Sequence, residues 1–487
     1  MAAAYSSTAA TPGRGTLPYA LWFWQSDRGN AQMNLVSFSM RLCATEEYTM
    51  IYRCLLAVTA IVFAPQFALA GDAKRPNIVI VVADDMGWGD TGYSGNKIVK
   101  TPHLDSLVKT GVRFDNFYSA QQMCSPGRFA ILTGRNPFRT GLARLGAMRP
   151  QEVTIAELLN KLGYATAHFG KWHLGGNPIR EGFDVSYFSP DHFNIGGTFV
   201  VYDNNKKPER IKIEGDSSVF TMNLALEFIR KQAALKKPFF AYVCFGSPHA
   251  PHVGAEEFLK LYADQGKYAH FLAEISGIDA AVGNLRAELR RLGIADNTII
   301  WFTSDNGGIT PLSMDPSGKG KLHIGVRTVA CLEWPGRFQE PIRCTFPCFH
   351  QDMLPTLLEA VGSSDMAPYP LDGISLFPAL EGKMKKRPTP MGFLAPKPTV
   401  KDLAQSDFIK DTWAVWIDWP FKLMVNPPGV YTKKGQGELV LYHLEDDPAE
   451  RTNVADRYPE QVAKMRRDLE AWQRSVRDSF DGKDYKK

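Results

Sequence analysis

The sequence predicts an α/β protein whose mixed, mostly parallel β-sheet is sandwiched by helices. In the segment from Asn77 to Val82, every residue after the polar Asn77 is apolar and β-branched. Such a run is typical of a strand buried on both faces. Similar runs alternate along the chain with patterns of helical spacing, as in folds whose parallel strands are linked by helices. Polar residues directly follow several of these runs, at the end of the strand where such sheets bind ligands.

Two short helices are indicated by their capping residues. Thr101 and Pro102 form a typical helix start, and Gly111 would end this helix. Thr154 and Glu157 form a capping-box pattern before a leucine-rich stretch. Both helices lie between predicted strands, as an alternating fold requires.

Three further strands and one long helix follow. The strands are predicted at residues 164–169, 238–245 and 298–302 from their aliphatic and aromatic content. The helix is indicated by apolar residues that recur every three or four positions, namely Leu272, Ile275, Ile278, Val282, Leu285, Leu289 and Leu292.

The composition changes after about residue 385. Residues 385–398 are rich in lysine and proline, which predicts a linker. Residues 421–425 and 439–444 have the pattern of short antiparallel strands, and Pro459 begins a helix. These features predict a smaller α+β domain with an antiparallel sheet at the C-terminus.

The N-terminal region has the features of an export signal. From Met50 the chain has Arg53, then an apolar stretch, then an Ala-Leu-Ala cleavage site before Gly71. This order is typical of a secretory signal peptide. An N-terminal anchor helix is the alternative, although the apolar stretch is short for a membrane span.

Four parts of the chain are therefore expected. Residues 1–49 would be an extension from a mis-assigned start, 50–70 the signal peptide, 71–384 the main domain and 385–487 the C-terminal domain. The mature protein would begin at Gly71 and be exported, to the periplasm or outside the cell. A formal net charge of only +5 over 487 residues, without a basic run, argues against nucleic-acid binding.

Five cysteines follow the predicted signal: Cys124, Cys244, Cys331, Cys344 and Cys348. An odd number in an exported protein indicates that at least one thiol has another fate. Cys244 lies in an apolar strand pattern and is expected in the core. The sequence leaves open whether Cys344 and Cys348 pair.

Two pairs of oxygen-donating residues follow predicted strands. Asp84 and Asp85 come after the first strand, and Asp305 and Asn306 come after the strand at 298–302. Carboxylate and amide oxygens suit Ca²⁺ or Mg²⁺ better than Zn²⁺. Either pair alone would fit an ordinary cap or turn, but the two together predict a cation site.

Basic residues follow the other two strands. Lys171 and His173 come after the strand at 164–169, and His249 follows the strand at 238–245. Each histidine taken alone would more often be structural. Because parallel strands end at one edge of the sheet, these side chains are expected to meet the acidic pairs there.

The segment from Cys124 to Arg128, Cys-Ser-Pro-Gly-Arg, continues to Leu-Thr-Gly-Arg135. A Cys-x-Pro-x-Arg pattern alone would also fit a helix start with a buried cysteine. With its continuation, it resembles the signature of the sulfatases, in which this cysteine is oxidised to formylglycine. Gly127 departs from the signature, which usually has serine or alanine there, while the cysteine, proline and arginine are intact.

The resemblance to sulfatases covers nearly all of the chain from about Pro76. Residues 83–90 and 303–307 match the two metal motifs of the family, and 170–175 and 247–252 match two further motifs in the right order. The resemblance implies an alkaline-phosphatase-like fold and one bound Ca²⁺. The implied calcium ligands are Asp84, Asp85, Asp305, Asn306 and the converted Cys124.

The resemblance also implies a chemistry. A formylglycine hydrate would attack sulfur with one hydroxyl and expel sulfate as the aldehyde reforms. Arg128 and Lys171 would stabilise the developing negative charge. His249, helped by Lys319, would protonate the leaving alcohol, and His173 would assist the hydrate chemistry.

The assignment of the catalytic lysine keeps a rival. Lys319 is preferred, but Lys321 is the alternative, because the segment 317–327 lacks the glutamate of the family pattern and is one residue shorter. Both lysines would also fit a solvated basic loop.

Two other functions stay open. A phosphoester or phosphonate monoester hydrolase of the same superfamily is one, although the sequence shows no extra His/Asp cluster for a second metal. A catalytically inactive homologue that binds sulfated glycan is the other, against which the intact motif residues argue.

The expected partners are a sulfated saccharide or sulfated small molecule as substrate, and a formylglycine-generating enzyme during maturation. A leaving-group pocket is expected near His192 and residues 413–419. The oligomeric state is left open.

Overall fold

The computed structural model describes the backbone of residues 19–27 and 30–38, and residues 75–142, 144–203, 207–308, 327–395, 404–427, 439–448 and 450–485. Tyr19–Asp27 (β1) and Asn30–Phe38 (β2) form an antiparallel pair within a separate unit, Met1–Ala73. The predicted signal peptide and Gly71 lie outside the described residues. Among the described helices, none combines the length and the apolar character needed to span a membrane.

Ten strands form one large sheet in the second unit, Lys74–Lys487, in the order β13-β4-β12-β11-β3-β10-β6-β7-β8-β9. The central five strands, β11 to β7 in this order, are parallel, and antiparallel pairs lie towards both edges. Two short strands, β5 and β14, pair separately. The strand bounds are Asn77–Ala83 (β3), Val112–Phe114 (β4), Phe117–Tyr118 (β5), Ala165–Lys171 (β6), Val185–Ser189 (β7), Thr198–Asp203 (β8), Glu209–Lys212 (β9), Phe239–Cys244 (β10), Thr298–Ser304 (β11), Ala330–Glu333 (β12), Ile342–Cys344 (β13) and Cys348–Phe349 (β14).

Helices cover both faces of this sheet, as the sequence predicts. The alternating residues of β3 show why: Ile78, Ile80 and Val82 pack into one core and Val79 and Val81 into the other. Each such side chain gains about 1.5–3 kcal/mol from full burial, so a strand of β-branched residues fits only a sheet with two covered faces. The helix bounds are Pro102–Leu107 (α1), Cys124–Thr133 (α2), Ile155–Lys161 (α3), Ser217–Ala234 (α4), Glu256–Leu259 (α5), Ala269–Arg291 (α6), Met353–Ala360 (α7) and Phe377–Leu380 (α8).

The capping predictions have different outcomes. The capping box at the start of α3 is confirmed, because Thr154 Oγ1 accepts from Glu157 N at 3.2 Å and Glu157 Oε2 accepts from Thr154 N at 2.8 Å. The side chain of Thr101 does not cap α1. Instead, Asp279 of α6 accepts hydrogen bonds from two backbone N–H groups in the first turn of α1.

A second sheet is built from the C-terminal part of the chain. Its four antiparallel strands are β15 (Met391–Leu394), β16 (Ala414–Asp418), β17 (Phe421–Val425) and β18 (Leu439–His443), and α9 (Pro459–Phe480) packs against it.

The predicted linker at 385–398 is wrong over the strand β15. Met391–Leu394 is fully buried and pairs with β16. The prolines at 388 and 390 precede this short apolar run rather than interrupt it. The average composition of residues 385–398 therefore does not reveal the strand.

Candidate active site

The carboxyl ends of four neighbouring parallel strands, β11, β3, β10 and β6, meet at one edge of the large sheet. The predicted clusters follow these strands, and α2 begins there with Cys124. The structure thus brings together the predicted side chains of Asp84, Asp85, Cys124, Arg128, Lys171, His249, Asp305 and Asn306.

Three carboxylates and one thiol form the centre of this group. One oxygen each from Asp84, Asp85 and Asp305 lies with Cys124 Sγ inside a set whose atoms are all within 4.8 Å of one another. Cys124 Sγ is 3.3 Å from Asp84 Oδ1. All four residues are buried. Such closely spaced buried carboxylates repel one another unless cations neutralise them.

Asn306 completes the set of oxygen donors. Its Nδ2 donates to Asp305 Oδ1 at 2.8 Å and lies 3.6 Å from Cys124 Sγ. Its Oδ1 is buried and has no hydrogen-bond partner among the described residues. An unpartnered buried acceptor beside three carboxylates fits the oxygen shell of a hard divalent cation such as Ca²⁺.

Arg128 connects this centre to the neighbouring strand. It follows Cys124 by four residues and therefore lies one turn further along the same side of α2. Its Nε donates to Asp305 Oδ2 at 2.8 Å, and its Nη1 donates to the Lys171 carbonyl at 3.0 Å. The guanidinium is fully buried, so it brings a fixed positive charge to the site.

Lys171 is the second buried cation. Its Nζ donates to Asp84 Oδ2 at 2.6 Å. Burial alone would raise the pKa of Asp84, but the charges of Lys171 and Arg128 outweigh it and hold this pKa well below its usual range. Burial and the charge of Asp84 raise the pKa of Asp305 to about 6, so the carboxylates of Asp84 and Asp305 are both negative at neutral pH.

Cys124 itself is poorly suited to act as a thiolate. Burial raises its pKa well above the ordinary value, and the negative charges of Asp305 and Asp84 add to this effect. A reactive cysteine normally lies in an electropositive and accessible place. The unmodified thiol is therefore poorly placed to act as a nucleophile.

The two predicted histidines line the outer side of the cluster. His249 follows β10, with Nε2 3.7 Å from Asp85 Oδ2. His173 lies two residues beyond the end of β6, and its Nε2 is 3.6 Å from Asp191 Oδ1. Burial and the charge of Lys171 lower the pKa of His173 to about 4, so it is neutral above that pH.

Two residues after β7 were missed or only partly recognised. Asp191 lies 3.5 Å from Lys171 Nζ as well as beside His173. His192 was expected only in a leaving-group pocket, and its ring centroid lies 4.9 Å from that of His249. Both residues follow the carboxyl end of a fifth parallel strand, a signal that was lost because β7 was not predicted.

The remaining expectations from the sequence concern two lysines, the segment 413–419 and three cysteines. Lys319 and Lys321 lie outside the described residues. The segment 413–419, expected near a leaving-group pocket, is mostly the buried strand Ala414–Asp418, and its Trp416 packs against Trp472 of α9. Cys244 is in the core, as predicted. Cys344 and Cys348 are separate thiols in the structure.

The sequence and the fold were compared with known proteins. The family model described as Sulfatase matches residues 76–363. The N-acetylgalactosamine-6-sulfatase of Mus musculus is 31% identical over 474 residues, covering 84% of this chain and 88% of that protein. The arylsulfatase A of Homo sapiens is 31% identical over 367 residues, covering 64% and 69% of the two chains.

The fold is shared with solved structures. One is the putative sulfatase yidJ of Bacteroides fragilis, with a TM-score of 0.70 and 23% identity, covering 84% of this chain and 97% of that chain. A crystal structure of Ps i-CgsB in complex with k-i-k-neocarrahexaose has a TM-score of 0.71 and 24% identity, covering 82% of this chain and 93% of that chain. The large parallel sheet, the added antiparallel sheet and the matched segment agree on an alkaline-phosphatase-like architecture. The chain therefore belongs to the sulfatase family and is a sulfuric ester hydrolase.

Proposed function

We propose that this enzyme hydrolyses sulfate esters of a sulfated carbohydrate with a formylglycine derived from Cys124, and that one Ca²⁺ ion assists it. The observation that carries the proposal is the place of Cys124. Its Sγ lies 3.3 Å from Asp84 Oδ1, at the start of α2, inside a buried group of three carboxylates and two cations.

The hard cation would be held by four residues as they stand in the chain and by the converted side chain of Cys124. The ligands are the carboxylates of Asp84, Asp85 and Asp305 and the unpartnered Oδ1 of Asn306. When bound, the ion supplies positive charge that polarises a sulfate oxygen. The donor set is oxygen-rich and therefore favours Ca²⁺ over zinc.

The hydrate of formylglycine would supply two hydroxyls on one carbon. One would attack sulfur as the bond from sulfur to the leaving alcohol breaks; the other would then lose its proton, re-forming the aldehyde as the C–O bond to sulfate breaks. Arg128 and Lys171 would place fixed positive charge where the anionic ester binds, because each is buried and held by a carboxylate. Neither needs to reorganise when charge moves to the leaving oxygen.

His249 is the proposed acid for the leaving alcohol. It is partly exposed on the outer side of the cluster, where the alcohol part of the substrate would leave. Its proposed helper, Lys319, lies outside the described residues. His173, held beside Asp191, is proposed to assist the hydrate chemistry as a neutral imidazole.

The substrate class is inferred from the relatives. Several of the most similar proteins are named N-acetylgalactosamine-6-sulfatase, which supports a sulfated saccharide. A secreted enzyme would meet such substrates, in line with the proposed signal at residues 50–70, the mature start at Gly71 and a catalytic part over 71–384 followed by a C-terminal domain over 385–487.

The test is sulfate release from a panel of sulfated saccharides by protein produced together with a formylglycine-generating enzyme. The tryptic peptide Phe114–Arg128 reports conversion directly, because the change removes the sulfur and two hydrogens and adds one oxygen. The expected result is turnover that scales with the converted fraction. A phosphonate or phosphate ester that is cleaved better than every sulfate ester would favour the other hydrolase function, and binding without turnover would favour an inactive glycan-binding protein.

A further inference from the structure

His192 and His249 share an unusual hydrogen-bonding arrangement at the mouth of the site. His192 Nδ1 is 3.0 Å from the Gly246 carbonyl oxygen, and His249 Nδ1 is 2.6 Å from the Ala250 carbonyl oxygen. A carbonyl oxygen can only accept, so Nδ1 of each ring carries the hydrogen. Each neutral ring therefore keeps an unprotonated Nε2.

These two rings converge with a carboxylate. One ring nitrogen of each histidine and one oxygen of Asp84 lie within 4.8 Å of one another. Because Nδ1 is engaged in both rings, Nε2 is the nitrogen available to a ligand. His192 Nε2 is buried and has no hydrogen-bond partner among the described residues. Its lone pair is therefore buried and accepts no hydrogen bond from them.

Two imidazole nitrogens and one carboxylate are the donors of a borderline metal ion rather than of calcium. Histidines that bind metals almost always donate their other ring N–H to a carbonyl or carboxylate, which fixes the ring. Both histidines already do so here. We propose that Asp84, His192 and His249 form a second cation site, specific for Zn²⁺ or a similar transition metal, next to the oxygen-rich site and sharing Asp84 with it.

Occupation of this site would inhibit the enzyme. This consequence rests on the proposed function, in which His249 carries a proton to the leaving alcohol. A metal bound at Nε2 takes the lone pair that would hold this proton. The metal would also stand where the alcohol part of the substrate leaves. Zinc is therefore a reversible inhibitor that acts without displacing the hard cation.

The site is tested by zinc binding to the calcium-saturated protein, measured by competition with a chromophoric chelator. We expect His192→Ala to raise the zinc dissociation constant at least about tenfold, since even the loss of a supporting partner costs that much. The matched control is His443→Ala, which removes a histidine paired with Asp446 far along the chain and should leave zinc binding within about twofold. Equal zinc affinity in wild type and His192→Ala would overturn the site.

A second measurement does not depend on the folding of a variant. X-ray absorption at the zinc edge of the wild-type protein is expected to show two imidazole nitrogens in the shell, and a shell made only of oxygen contradicts the assignment. For the inhibition, sulfate release should fall over the zinc range of the binding curve, return with chelator, and need at least about tenfold more zinc in His192→Ala. Zinc bound at both histidines with undiminished turnover would refute the inhibitory role. A protein that releases no sulfate in the absence of zinc would refute the proposed function. In that case the zinc-binding measurement would still decide whether the second cation site exists.

Discussion

Gly127 allows α2 to approach the loop after β11 more closely than any other residue would. A Cβ atom on residue 127 would lie 1.9 Å from the backbone oxygen of Asp305, where contacts under 3.0 Å are essentially never seen. The two backbones would have to separate by about 1.1 Å, the difference between those distances. The family signature usually has serine or alanine here, and neither would fit this backbone spacing without movement.

The cost of Gly127→Ser can be worked from these contacts. Overpacking of this kind costs about 1–3 kcal/mol, and the clash is with backbone, which cannot rotate away. The movement also stretches the bond from Arg128 Nε to Asp305 Oδ2, now 2.8 Å, and the bond from Asp85 N to Asp305 Oδ1, now 3.3 Å. A loss of about 3 kcal/mol in the free energy of unfolding is expected, together with weaker calcium binding.

Thermal unfolding with and without calcium measures this loss, and Ser125→Ala is the control. The Ser125 hydroxyl is buried without a hydrogen-bond partner among the described residues, so its removal should leave stability nearly unchanged. Conversion of Cys124, read from the mass of the peptide Phe114–Arg128, should not fall in Gly127→Ser, because serine is the usual residue of the signature. If Gly127→Ser unfolds at the wild-type temperature and binds calcium equally well, the close-approach argument is wrong.

Three more predictions concern other sites. Cys124→Ala should fold but release no sulfate, whereas Ser125→Ala should retain sulfatase activity. Turnover of a sulfate ester by Cys124→Ala would refute the formylglycine proposal. Asp84→Asn keeps shape but removes one charge, so calcium content and activity should fall together, and unchanged calcium content by elemental analysis would contradict the ligand assignment. Burial raises the pKa of Asp279 to about 7, so stability present below about pH 4 is lost as the pH rises through 7. In urea unfolding from pH 4 to 8, Asp279→Asn should lack this loss of up to about 4 kcal/mol, and parallel pH profiles of the two proteins would disprove it.

The strands that carry the site could be predicted because they are buried on both faces. A run such as Ile78 to Val82 is stable only in a strand that is covered on both faces. Thr298–Ser304 and Phe239–Cys244 have a similar apolar content. β7 was missed because its residues are only half buried and its sequence, Val-Ser-Tyr-Phe-Ser, is not continuously apolar. β15 was missed because its four residues lie among lysines and prolines.

The residue types of the site could also be predicted, but not their contacts. The order of strands in the sheet decides which strand ends are neighbours, and local pattern does not contain that order. The bond between Lys171 and Asp84 joins residues 87 positions apart. Asp191 and the pairing of His192 with His249 depend on β7 lying beside β6 and on the loop after β10, and the strand end that would have marked both residues was not predicted.

The balance of charge in the buried cluster favours a sulfate monoester over a phosphate monoester. Among the described residues, the carboxylates of Asp84, Asp85 and Asp305 face the buried cations Arg128 and Lys171, which leaves one net negative charge. One divalent cation changes this to one net positive charge. A sulfate monoester carries a single negative charge and makes the closed site neutral, whereas a phosphate monoester dianion leaves an uncompensated negative charge in a place that water barely reaches. Because an unpaired buried charge is costly, these five residues with one divalent cation, counted without the proposed Lys319, match a sulfate monoester better than a phosphate dianion.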